Sequence, residues 1–178
     1  SEIERILEEV ERAVRESDER LKDIVRKDRE VVKRVKELLD KILRKDEEAI
    51  KRVIEDLERR GSDETLIRKL KKHLDENRRK VEELKRRLDE HLRRNDETVK
   101  DLIRKNNKEL EEVRRRLKDI TDKDELKKEV DKWVKRARDI VKELEEHSRR
   151  STDELRRTVE DLERHSEESV RRAEKTSE

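Results

Sequence analysis

Apolar residues recur at three- and four-residue intervals along almost the whole chain, a spacing that gathers them onto one face of an α-helix. The first stretch reads Leu7, Val10, Val14, Ser17, Leu21, Ile24, Asp28, Val31, Val35, Leu38 and Ile42. Proline is absent and the single glycine is Gly61, so neither strong helix breaker falls inside a stripe. The chain is expected to be all-α and built from very long helices.

The breaks divide it into three, with helices at about 2–60, 63–119 and 123–176. Gly61 supplies the left-handed residue that commonly closes a helix, and Ser62 or Asp63 follows as N-cap of the next. Near the second break Asp122 and Glu125 have capping-box spacing. Helices of roughly 55 residues would each span about 80 Å at 1.5 Å per residue. Two short loops force neighbours antiparallel. The expected architecture is one elongated, nearly straight up-down-up bundle over residues 1–178.

Composition alone suggests disorder, because 60% of residues are charged and 28% hydrophobic. Two features oppose that reading. The 54 Lys and Arg nearly balance the 52 Asp and Glu, and the apolar residues keep a helical period. Without cysteine there is no disulfide framework or thiolate chemistry, and no compartment is specified. With no apolar run of membrane-spanning length and no signal-peptide pattern, a soluble protein is expected. Basic runs such as Arg114-Arg115-Arg116 lie beside acidic residues and lack aromatic platforms, so no nucleic-acid partner is expected.

Polar residues sit on the stripes themselves. Comparing the chain with itself at a shift of 18 relates Asp28 to Asp46, His73 to His91, Asn77 to Asn95, His147 to His165, Ser148 to Ser166 and Ser151 to Ser169. Eighteen residues make five helical turns, so each face returns without drift. If the first loop centres near residue 61, facing residues on the first two helices have numbers adding to about 123. Asp28 then faces Asn95, Asp46 faces Asn77 and Ser17 faces Asn106. On the third helix His147 and Ser151 fall level with His91 and Asn95, and His165 and Ser169 fall level with His73 and Asn77. Two polar layers are expected: Asp28, His91, Asn95, His147 and Ser151; and Asp46, His73, Asn77, His165 and Ser169.

The simplest use of such layers is hydrogen bonding that only the correct register satisfies, since buried polar groups without partners are costly. Two His and one Asp per layer also match some iron and zinc sites, but Asn and Ser fit a network better than a ligand set, and no metal or other cofactor is expected. The histidines admit a pH response of either sign: protonation removes an acceptor, whereas Asp28 and Asp46 favour the charged ring. A triad through Ser151 or Ser169 lacks a strained turn or oxyanion hole, so no enzyme is expected. Trp133, the only aromatic residue, reads as core.

The Gly61-Ser62-Asp63-Glu64 connector, the Glu, Lys and Arg surfaces and layers such as His91-Leu92-Arg93-Arg94-Asn95 resemble de novo designed helical bundles with buried hydrogen-bond networks. The absence of Met, Cys, Phe and Tyr belongs to the same pattern. The resemblance implies an artificial scaffold, half of a heterodimer, a homo-oligomer or a cage for a switchable helix. Two functions follow as expectations. One is a closed structural scaffold that requires no partner; the other is a module that accepts a further helix or a second copy.

Overall fold

The computed structural model describes residues 1–61, 64–119 and 122–177. The chain forms a helix bundle of three long helices: α1 (Glu2–Arg59), α2 (Glu64–Lys118) and α3 (Lys123–Ser177), with no strand among the described residues. Local chemistry marks the ends. Ser1 Oγ accepts a hydrogen bond from the Glu4 N–H at 3.4 Å, satisfying one of the free donors of the first turn. At the end of α1 the Gly61 N–H bonds the Glu58 carbonyl at 3.2 Å, and Gly61 takes a φ of 65°, a left-handed conformation that costs glycine little. Asp122 Oδ1 accepts from the Glu125 N–H at 3.2 Å and so caps α3. The expected caps at Ser62 and Asp63, and the Ile120-Thr121 part of the second break, lie outside the described residues.

The chain divides into two compact units, each taking a piece of every helix: Ser1–Arg29 with Leu92–Ser151, and Glu30–His91 with Thr152–Glu178. In the first, Ile6, Val10 and Val14 of α1 pack with Val113 and Leu117 of α2 and Leu126, Val130 and Val134 of α3. A second cluster joins Leu21, Ile24 and Val25 to Val99 and Val141. In the second unit Ile50, Val53, Ile54 and Leu57 pack with Leu70, Leu74 and Ala173. Full burial of one such aliphatic side chain stabilises by about 1.5–3 kcal/mol, so these short rows supply most of what offsets chain entropy.

Within each unit α1 and α2 run antiparallel. Glu11 pairs with Arg114 and Ser17 with Asn106 in the first; Lys36 pairs with Asp89 and Glu47 with Arg78 in the second. Partner numbers on the two helices add to about 123–125, close to the register expected from the loop position.

α3 buries Leu126, Val130 and Ala137, and Trp133 is half-buried against the same core, as expected of it. Farther along, the helix turns away from the face expected to carry its histidines: Ile140, 36% exposed, His147, Thr158 and His165 face solvent. The buried stripe runs one residue later, through Val134, Val141, Ser148, Val159 and Ser166. One residue is a rotation of about 100°. The preference has a physical cause: valines and short hydroxyls fit close to α1, whereas indole and imidazole rings fit better where their polar tips reach solvent.

Candidate functional site

The first unit's polar centre is built around Asp28, which α1 delivers to the interior with 4% exposure. Its Oδ2 accepts from the Asn95 amide of α2, and its Oδ1 accepts from the Ser148 hydroxyl of α3. One carboxylate thus joins all three helices. Asn95 and Ser148 are each 6% exposed, so the bonds are shielded from water, where a missing partner costs more than a formed bond gains.

About three helical turns toward the N-terminus of α1, Asn106 Nδ2 donates to the buried Ser17 Oγ at 2.9 Å. Beside it stands Asp18, half-buried, with Oδ1 shielded and without a hydrogen-bond partner. Burial pushes the Asp18 carboxyl above its usual range, a rise opposed by a hydrogen bond from Asn106 and the charge of Lys22. A cleft of about 60 Å³ reaches this pair, lined on its apolar side by Leu102, Trp133 and Ile140.

In the second unit the centre is Asp46, 1% exposed. Asn77 donates to Oδ2, while Oδ1 is buried without a partner. His73 Nε2 lies 3.2 Å from the Asn77 amide nitrogen and 3.7 Å from Asp46 Oδ2. Ser166 is buried at 6%, as Ser148 is in the first unit.

The expected site residues separate accordingly. Asp28 with Asn95, Asp46 with Asn77 and His73, and Ser17 with Asn106 are brought together. His147 and His165 are exposed, which corrects their assignment to buried layers, and Ser151 and Ser169 are half-buried. His73 and His91 are half-buried on α2. The cause is the rotation of α3, which brings Ser148 and Ser166 into the positions expected for His147 with Ser151 and His165 with Ser169. The 18-residue repeat relates those two serines and is the sequence signal that marks them.

Charged side chains frame the interior. Arg20 grips Glu145 with two hydrogen bonds, Nε to Oε1 at 3.0 Å and Nη2 to Oε2 at 3.1 Å. Arg114 bonds Glu11 at 2.9 Å and Glu111 at 2.7 Å, and those bonds hold its guanidinium above the usual range. Arg20, Glu145, Arg114 and Glu11 are half-buried, so solvent screens these pairs only in part.

Among the described residues no group of three or more His, Cys, Asp or Glu is placed to hold a metal ion. Among them too, no helix is long and apolar enough to cross a membrane. No known protein family, curated protein or solved structure matches the chain.

Proposed function

We propose that this chain is a structural scaffold in which buried polar contacts specify which helices pair and at what register. The observation that carries the reading is Asp28, whose two oxygens are taken by one donor from α2 and one from α3. A shift of α2 or α3 by one turn would remove a donor and leave a buried carboxylate oxygen unpaired, at a cost of about 1–3 kcal/mol or more for a charged group. Apolar stripes of Val, Leu and Ile do not discriminate registers so sharply, because neighbouring turns offer similar surfaces. The polar contact therefore acts on choice of arrangement more than on net stability. The resemblance to designed bundles supports the same role, which needs no catalytic step, cofactor or obligatory partner.

The experiment replaces the set with apolar residues, Asp28→Leu, Asn95→Leu and Ser148→Ala together. Spin labels on exposed α1 and α2 positions of the first unit then report their distance distribution. The expected result is retained helicity, equal or greater stability, and a broadened or multiple distance distribution. A single distribution as narrow as that of the parent would remove the proposed role.

A further inference from the structure

Asp46 is the least exposed ionisable residue of the buried set, and no Lys or Arg is bonded to it. Its Oδ2 holds one hydrogen bond, from the Asn77 amide, and its Oδ1 holds none. The same amide nitrogen lies 3.2 Å from His73 Nε2. An amide nitrogen carries two hydrogens and no acceptor. Asn77 can therefore donate one to Asp46 and one to His73, which requires Nε2 to be bare and the ring proton to sit on Nδ1. Neutral His73 is thus an onlooker, 3.7 Å from a carboxylate oxygen that it does not serve.

Protonation changes the roles. Nε2 then carries hydrogen and loses the Asn77 bond, a neutral contact. In exchange the ring presents a charged donor to Asp46 Oδ2 across a gap that a small rotation closes. Charge-assisted bonds are roughly twice as strong as neutral ones, and among the described residues no Lys or Arg is bonded to this desolvated carboxylate. The gain exceeds the loss.

The other ionisable groups at this height do not displace the pair. On α1 Glu47 is already bonded to Arg78 at 2.6 Å. On α3 the register brings exposed His165, Glu168 and Arg172 level, and on α2 the neighbours Lys69, Lys72 and Glu76 are exposed. Solvent screens all of these more than it screens Asp46.

We infer that His73 and Asp46 form a proton-operated clasp between α1 and α2: acidification through the imidazole range turns His73 from acceptor to donor and tightens the second unit. The sign follows from linkage. If the folded chain binds the extra proton more readily than the unfolded one, stability rises as pH falls through that range.

The test is denaturant unfolding of the full chain at about pH 7.5 and about pH 5.5, pH values that bracket imidazole titration, for the parent, His73→Gln and Asp46→Asn. The parent's unfolding constant is expected to fall roughly tenfold on acidification, and that of either variant by less than about twofold. A second readout needs no variant: in the parent's NMR titration, the Asn77 side-chain amide signals should shift with the same midpoint as the His73 ring. A parent whose stability is flat or falls on acidification overturns the clasp. So does a rise that survives in His73→Gln, or an Asn77 amide that ignores the His73 titration.

Discussion

Asp28 and Asp46 are the same residue type, eighteen positions apart on one helix, each facing an asparagine of α2 and each level with a buried serine of α3. Yet Asp28 has both oxygens bonded and Asp46 has one. The difference lies in the third helix: Ser148 reaches Asp28, while Asp46 Oδ1 has no partner although Ser166 is as buried as Ser148. A sequence repeat reproduces residue identities and faces. It does not by itself reproduce hydrogen bonds, whose strength changes over tenths of an ångström. The first layer is closed and the second is held by a single donor.

The comparison breaks most visibly at the asparagines. Asn77→Ala should cost about 3–5 kcal/mol, because it strips Asp46 of its only hydrogen bond and leaves a buried charge uncompensated. Asn95→Ala should cost less, about 2 kcal/mol, since Ser148 still serves Asp28. Denaturant midpoints of the two variants measure this directly, and equal losses would mean the layers are equivalent. A second test concerns the face of α3. Val141→Ala should destabilise by about 2 kcal/mol through the cavity it leaves, whereas Ile140→Ala, at the exposed edge, should cost well under 1 kcal/mol. The reverse order in thermal melts would restore the stripe expected from the sequence.

The serines sharpen the contrast further. Ser148→Ala removes a donor from a buried carboxylate and should cost about 1–3 kcal/mol. Ser166→Ala has no hydrogen bond to Asp46 to lose and should lie within about 0.5 kcal/mol of the parent. Hydrogen exchange in the two units would show the loss confined to the first. The smallest effect is expected at Asp18. Burial raises its carboxyl above the ordinary value of 3.8, so ionisation is harder in the folded chain. Its favourable contribution is present below that value and lost as pH rises through the raised one. Asp18→Asn should therefore stabilise slightly at neutral pH, by less than about 0.5 kcal/mol given its partial exposure to solvent, and the advantage should vanish in acid. Paired unfolding curves at pH 7 and about pH 3 would show it.

Much of this was legible before the structure. The α1–α2 register could be read because a single glycine places the loop and because Asp28, Asp46 and Ser17 each have an amide partner at the matching height. The face of α3 could not. Trp133, Ile140 and His147 offer one stripe, Val134, Val141 and Ser148 another, and the two lie one residue apart. Hydrophobic period alone cannot choose between them; the short hydroxyl that reaches Asp28 can. The unsatisfied oxygens of Asp18 and Asp46 were beyond sequence reasoning altogether, since they depend on side-chain geometry rather than on position along a helix.

The eighteen-residue period carries a hidden ambiguity of alignment. Sliding α2 by one full period would set Asn95 against Asp46, and because five whole turns separate the two positions, every face would still point the right way. A slip of about 27 Å would keep that single pair. It would also set Asp28 against Val113 and Asn106 against Val35. The polar marks that do not repeat, together with the tether at Gly61, therefore exclude the error that the repeat invites.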